Sequence, residues 1–437
     1  MSSEKSLLRP LSSLIRQREP SHWRLTQRVG IDGDDVLAGT LRIYERRGQS
    51  TTFEYDRAYL VDARSYPLDP ALPLGAGVFQ PPSGKALFNA FADSAPDRWG
   101  QNLMRRSERE RARAAHTTPR SLGPVDFLLA TRDELRQGST RLRDPTTNSY
   151  LAEDAVGVPE LVQLGRLLTA SDRVGSTQGA DRAIRDLIAA GSSLGGARPK
   201  AAICKPDGTL AIAKFPRAEG DEWDVAAWEM IENELAQRAG IDVARAELVR
   251  VASRNVLLVD RFDRVGPRRA GFASALTMLE ASDGDHRSYL EIAEVLETIS
   301  DAPGHELEQL FRRVVFSVLT ANTDDHLRNH GFLREGRAWI LSPAYDLNPN
   351  PYSTGVQSTS PGIDDATASV DLACSVAGYY RLTFDRAKEI VAEIESSTEQ
   401  WRTVAASFLA SASEIELMSQ AYEGEPTIEA RRLISTR

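Results

Sequence analysis

The chain has 437 residues, 41% of them hydrophobic, and a formal charge of −9. That length and apolar content support a large core and two or three domains, while the acidic balance argues against broad DNA binding, because neutralising phosphates needs a basic surface. With Cys204 and Cys374 the only cysteines there is no disulfide framework or thiolate zinc site, and no apolar run suits a signal peptide or membrane span, so a cytoplasmic, membrane-free protein is expected.

Residues 1–22 form an extension without a recognisable pattern. Residues 23–148 read as an α+β module, with strands over Val36 to Tyr44 and Thr52 to Tyr59 and one helical stretch around Ala86 to Arg113. Within that stretch Arg105, Arg106, Arg109, Arg111 and Arg113 alternate with glutamates, the pattern of a solvated helix face rather than of a contact surface for DNA. The polar run Arg143 to Ser149 marks a candidate boundary.

A second section, residues 149–262, carries the first chemistry. Gly191-Ser192-Ser193-Leu194-Gly195-Gly196-Ala197-Arg198-Pro199-Lys200 is a loop whose glycines let backbone N–H groups turn toward a phosphate. It matches neither the Walker A nor the Rossmann pattern. Ala201 to Cys204 and Thr209 to Phe215, around Pro206-Asp207-Gly208, read as a β-hairpin. Lys214 lies near the end of its second strand, where a kinase keeps the lysine that clamps the α- and β-phosphates.

Val225, Trp228, Ile231 and Leu235 then recur at helical spacing, with Gly240 as a stop. Glu229 lies beside that stripe and is placed to reach Lys214, with Glu232 and Glu234 as competitors. Two short strands, Ala246 to Val251 and Asn255 to Val259, run into Asp260-Arg261-Phe262-Asp263-Arg264, a polar switch suited to a hinge where backbone groups read adenine.

The last section, residues 263–437, is expected to be helical. Leu307, Leu310, Phe311, Val314, Val315, Val318 and Leu319 mark a buried helix that delivers Thr323-Asp324-Asp325-His326-Leu327-Arg328-Asn329. An Asp with an Asn five positions on, followed by the Asp of Tyr345-Asp346-Leu347, is how kinase-type enzymes supply a base, Asp324, and two magnesium ligands, Asn329 and Asp346. His326 and His330 share a zinc-helix spacing, but Leu327 stands where a zinc protease needs Glu. Residues 350–369 are rich in Ser, Thr, Pro and Gly and read as a mobile activation-type segment, before helices over Phe384 to Glu395, Thr398 to Leu409 and Ser413 to Tyr422.

Five ordered pieces carry a resemblance: Ser193 to Lys200, Ile212 to Pro216, Val259 to Arg264, Thr323 to Asn329 and Ser342 to Pro349. Together they resemble the HipA family of serine/threonine kinases, toxins of type II toxin–antitoxin pairs. Phe53 to Asp56 and Asp93-Ser94-Ala95-Pro96-Asp97-Arg98-Trp99-Gly100 extend the likeness into the first third, and Trp401-Arg402 into the last helices. The departures are the N-terminal extension and acidic Asp325 beside the base.

The resemblance implies a bilobal, protein-kinase-like α+β fold, with a strand-containing N-lobe and an all-α C-lobe behind the N-terminal module. It implies ATP and Mg2+ as cofactors, with ATP held by Ser193, Leu194, Gly195, Gly196, Ala197, Lys200, Lys214, Asp260 and Phe262, and with Ser193 a site of autophosphorylation. The implied protein substrate is a translation component, an aminoacyl-tRNA synthetase. The implied partner is a helix-turn-helix antitoxin of the HipB type, through which alone the chain would meet DNA. The alternative is a kinase-like binding module that acts mainly as an antitoxin-bound co-repressor; retention of Lys214, Asp324, Asn329 and Asp346 together favours the enzyme.

Overall fold

The computed structural model describes residues 21–28, 35–44, 49–144, 146–151, 158–174, 187, 198–266 and 268–436. The chain forms two compact units, Met1–Ile212 with Asp263–Ala273, and Ala213–Phe262 with Ser274–Arg437. The section end at 262 falls on a unit boundary and the one at 148 does not: the first unit takes in most of the hairpin, and the chain later returns to it.

The first unit is built on an antiparallel sheet. Its strands are β1 (Ser21–Arg28), β2 (Asp35–Tyr44), β3 (Ser50–Tyr55), β4 (Val78–Phe79) and β5 (Thr140–Arg143), in the spatial order β4-β3-β2-β1-β5. Ala38, Leu41 and Ile43 of β2 are buried, and Phe53 pairs with both Leu41 and Phe79 across the ladder. At Gly39 a Cβ would lie 2.3 Å from the Glu54 carbonyl oxygen, so the close approach of β2 and β3 requires glycine there.

The strand expected over Thr52 to Tyr59 stops at Tyr55. Asp56 intervenes: its side chain accepts the Ala58 N–H at 2.8 Å and starts a short helix, α1 (Arg57–Val61). The single helix expected over Ala86 to Arg113 likewise divides, into α2 (Asn89–Asp93) and α3 (Arg98–Ala114). Pro96 holds the chain extended between them, and Asp97 caps α3 by accepting the Gly100 N–H at 2.8 Å. The arginine face of α3 is partly packed, since buried Glu108 receives Arg111 and the Arg105 guanidinium lies over the Phe127 ring.

Hydrogen bonds explain why Asp263–Ala273 belongs to this unit. Buried Asp263 accepts the Gly138 N–H at 2.8 Å, Arg264 donates to the Arg136 carbonyl at 2.5 Å, and Arg269 donates to Asp133 at 3.1 Å. The expected hairpin is present as β6 (Lys200–Cys204) and β7 (Leu210–Lys214). Gly208 takes φ 85° in its turn, where Asp207 accepts the Thr209 N–H.

The second unit begins with the end of β7 and α4 (Val225–Arg238), capped by Asp224. A hairpin of β8 (Ala246–Val251) and β9 (Arg254–Asp260) follows, then α5 (Tyr289–Ile299) and α6 (Pro303–Leu319). Leu307, Leu310, Phe311, Val314 and Val315 of α6 are fully buried, each stabilising by about 1.5–3 kcal/mol. Nearly every side of the helix past its first turn is covered, so α6 is the unit's central pillar. Beyond it a hairpin of β10 (Gly331–Glu335) and β11 (Ala338–Leu341) leads to helices Phe384–Thr398, Trp401–Ser407, Ala412–Tyr422 and Glu425–Ser435.

Residues 350–369, expected to be mobile, are tied down in the structure. Asn350 donates to the Thr323 hydroxyl, the Ser358 N–H and hydroxyl both donate to the Thr323 carbonyl, and Thr359–Ser360 pairs in parallel with Arg287–Ser288. Gln357 and Thr359 are buried. The partners are distant in sequence, which is why no local pattern announces them.

Candidate active site

Lys214, at the end of β7, is the centre of the site. Its ammonium donates to Glu229 Oε1 on α4 and, at 2.6 Å, to Asp346 Oδ1. Burial alone would favour the neutral amine, yet the Asp346 and Glu229 carboxylates outweigh it and hold the lysine pKa above its usual value. The choice among three glutamates is settled by helix geometry. Glu229 faces Lys214, Glu232 is fully buried with the Tyr422 hydroxyl donating to it, and Glu234 is paired with Arg238.

Asp346 has φ 62°, the left-handed region that Asp tolerates better than most residues. Its conformation is backed by Asn348, whose amide donates to the Asp346 carbonyl at 3.1 Å. Asp324 is five residues beyond the end of α6 and its residue is exposed. Partial desolvation raises its pKa, opposed by His326 and reinforced by the neighbouring Asp346 and Asp325 carboxylates. Asn329 is buried and donates from Nδ2 to the Asp324 carbonyl at 3.2 Å, so its side-chain oxygen is the atom left to act as a ligand. Asp325, by contrast, is only 3% exposed and points inward, which separates the two adjacent acids: Asp324 faces solvent and Asp325 the core.

A small apolar cleft adjoins this cluster. Ala244, Ala246, Leu257, Val259 and Tyr345 line it together with Glu229 and Asp346. The Phe262 ring packs against Tyr345 at 5.4 Å between centroids, behind the cleft rather than in its lining. Tyr345, to which sequence reasoning gave no role, is fixed by donating to the Arg328 carbonyl at 2.6 Å; its place immediately before Asp346 was the available signal. Asp260 contributes differently from a free hinge, because its N–H donates to the Arg245 carbonyl at 2.8 Å.

Ser193, Leu194, Gly195, Gly196 and Ala197 lie outside the described residues. Lys200 is described in the first unit, where its ammonium lies 3.0 Å from Asp97 and both side chains are buried. Burial raises the Asp97 pKa, the Lys200 charge opposing it.

The donors present fit a magnesium ion. Asp346 and Asn329 offer hard oxygen ligands, and among the described residues no group of three or more His, Cys, Asp or Glu forms a protein-only cage. An ion held by one carboxylate and one amide is completed by phosphates and water.

Residues 30–131 match the HipA N-terminal domain and residues 192–410 the HipA-like C-terminal domain. The chain belongs to the HipA family. Its fold is similar to that of HipA from Shewanella oneidensis MR-1, solved in complex with HipB and operator DNA, at a TM-score of 0.65 and 14% identity over 95% of this chain and 100% of that one. A segment of 182 residues is 27% identical to "Putative kinase Y4mE" of Sinorhizobium fredii, covering 36% of this chain and 41% of that relative. The proinflammatory kinase CtkA of Helicobacter pylori aligns over 55% of this chain and 93% of its own, with a TM-score of 0.38 and 14% identity.

Proposed function

We propose that this chain is an ATP-dependent serine/threonine protein kinase that acts as the toxin of a toxin–antitoxin pair. The observation that carries the reading is Lys214 held between Glu229 and Asp346, with Asp324 and Asn329 in the same unit. Lys214 neutralises and orients the ATP phosphates, Glu229 keeps it extended, and Asp324 orients the acceptor hydroxyl and takes its proton. Asn329 and Asp346 would hold magnesium, which when bound screens the charge that gathers on the transferred phosphoryl group. The cleft lined by Leu257, Val259 and Tyr345, with Phe262 packed on Tyr345, is the place for the adenine.

Other features of the reading rest on family membership. The substrate is a component of translation, an aminoacyl-tRNA synthetase, and the partner is a HipB-like helix-turn-helix antitoxin that supplies the DNA contacts; HipB and operator DNA accompany the Shewanella HipA. The work is done in the cytoplasm. Autophosphorylation falls on Ser193, where roughly −1.5 to −2 added charges would repel ATP phosphates from the glycine loop and switch the enzyme off.

Incubation of the purified chain with labelled ATP and magnesium tests the proposal. Transfer of label to protein is expected for the wild type and not for Asp324→Ala. Label that persists in the variant, or none in a folded wild type that binds ATP, leaves a binding module that works as a co-repressor. Mass spectrometry of the two proteins locates the modified serine, and phosphate at Ser192 instead would overturn the Ser193 assignment.

A further inference from the structure

Asp325 is a buried carboxylate with partners on three pieces of chain, and the reading above gives it no task. Its Oδ2 accepts the Tyr289 hydroxyl at 2.5 Å and the Ser317 hydroxyl at 3.1 Å, and its Oδ1 lies 3.0 Å from His330 Nε2. Its carbonyl accepts the Thr359 hydroxyl at 2.7 Å. The His330 ring is edge-on to Tyr289, 5.4 Å between centroids, and both rings are buried. Three separate pieces of chain thus converge on one carboxylate, namely the start of α5, the last turns of α6 and the residue before β10, while a fourth, after Gln357, holds the backbone carbonyl of the same residue.

The loop between these anchors has an alternating plan. Asp324 and Asn329 are the candidate base and metal ligand, and each is followed directly by a residue of the buried pair, Asp325 and His330. Inside the loop the His326 N–H donates to the Asp324 carbonyl at 2.9 Å and the Asn329 N–H to the His326 carbonyl at 2.8 Å. The base of the loop is therefore closed by a side-chain contact, and its tip by two backbone hydrogen bonds.

We infer that Asp325 and His330 form a clasp that sets the separation of Asp324 from Asn329, with Tyr289 and Ser317 holding the clasp to the helices. These are positioning residues: none offers an atom to substrate or metal. An isolated buried carboxylate is costly, and its hydrogen bonds recover that cost only in one geometry. The chain's two reacting groups inherit that geometry. Since displacement by about 1 Å can lower a rate by roughly a hundredfold, the clasp governs the reaction without taking part in it. The inference rests on the kinase reading for its functional side, and its structural side stands apart from that reading.

Asp325→Asn and His330→Gln keep the approximate shape while removing the carboxylate charge or the imidazole ring from the contact, and Tyr289→Phe removes one hydroxyl alone. Hydrogen exchange is the readout independent of activity. In Asp325→Asn the amides of residues 326–330 are expected to exchange at least about tenfold faster, with those of α6 unchanged. Calorimetry with magnesium and a non-hydrolysable ATP analogue is expected to show affinity falling roughly tenfold, while binding of the analogue without magnesium stays within about twofold.

In turnover, kcat falls roughly tenfold or more with a small change in the Michaelis constant for ATP, and the double variant Asp325→Asn, His330→Gln is no worse than the poorer single one. If the first two variants do not fold, Tyr289→Phe is expected to show the same pattern at a smaller size. Unchanged exchange in residues 326–330 overturns the clasp whatever the chain's activity; so does a double variant whose loss is the product of the single ones. An inactive wild type whose exchange responds as described overturns the kinase reading instead.

Discussion

At the scale of single residues the proposed site has exposed and buried acids side by side, Asp324 and Asp325. Asp324 is exposed, so Asp324→Ala is expected to remove roughly 10²–10⁴-fold of the transfer rate while shifting stability by no more than about 0.5 kcal/mol. Near-normal turnover in the folded variant would move the base elsewhere. Its neighbour Asp325 invites use as a control because the two are adjacent, but its burial makes Asp325→Ala a change in the core. Asp346→Asn keeps a residue suited to φ 62° and loses the charge, so a normal melting temperature with no detectable transfer is expected. Lys214→Arg should bind ATP at least tenfold more weakly, roughly 1.4 kcal/mol, because a planar guanidinium cannot replace a compact ammonium between Glu229 and Asp346. Calorimetry that finds wild-type affinity would remove Lys214 from the phosphate site. Lys214, Asp324, Asn329 and Asp346 were legible in the sequence as members of short ordered motifs, while Glu229 was one of three candidate glutamates until the fold placed it against Lys214; Tyr289 and His330 were not legible, because their importance comes from meeting Asp325 across distant pieces of chain.

At the scale of elements, α4 has two faces with opposite electrostatics. One presents Glu229 to Lys214; the other buries Glu232 completely, against Tyr422 of the helix Ala412–Tyr422. Burial pushes the Glu232 carboxyl up from 4.5 to about 8, despite the Tyr422 hydroxyl. The folded state therefore binds this proton more tightly than the unfolded chain. Its contribution to stability is fully present below pH 4.5 and is lost as pH rises through about 8. Glu232→Gln, neutral at every pH, is expected to melt at nearly the same temperature as wild type at low pH and to be the more stable protein at pH 9, by a few kcal/mol in order of magnitude. Parallel melting curves across that range would show that Glu232 is solvated. The elements themselves were readable where periodicity is strong, as in α4 and α6, and where a turn has its own chemistry, as between β6 and β7. They were misread where a single capping side chain decides: Asp56 ends a strand, and Asp97 after Pro96 starts a new helix.

At the scale of the whole molecule, the charge of −9 sets an expectation about partners. The purified chain alone should not retard DNA on a gel at physiological salt, and should do so only with its antitoxin. Retardation by the chain alone would assign a DNA surface to it, with exposed Arg109 and Arg113 the first residues to test. Expression should arrest growth for the wild type and not for Asp346→Asn; equal arrest by both would separate toxicity from phosphoryl transfer. The division into units was legible in the sequence only at residue 262, because both units are discontinuous. No composition shift marks Asp263–Ala273 as part of the first unit; the assignment lies in Asp263, Arg264 and Arg269 meeting Gly138, Arg136 and Asp133. That return has a consequence for how the protein is made. Domains generally fold as they leave the ribosome, N-terminal first, but here the buried acceptors and donors around residues 133–138 wait for partners translated more than a hundred residues later. The nascent first unit is therefore incomplete for several seconds of synthesis, and any truncation before Ala273, whether by a premature stop or by a protease, leaves it without its last strand-side anchors and exposed to degradation.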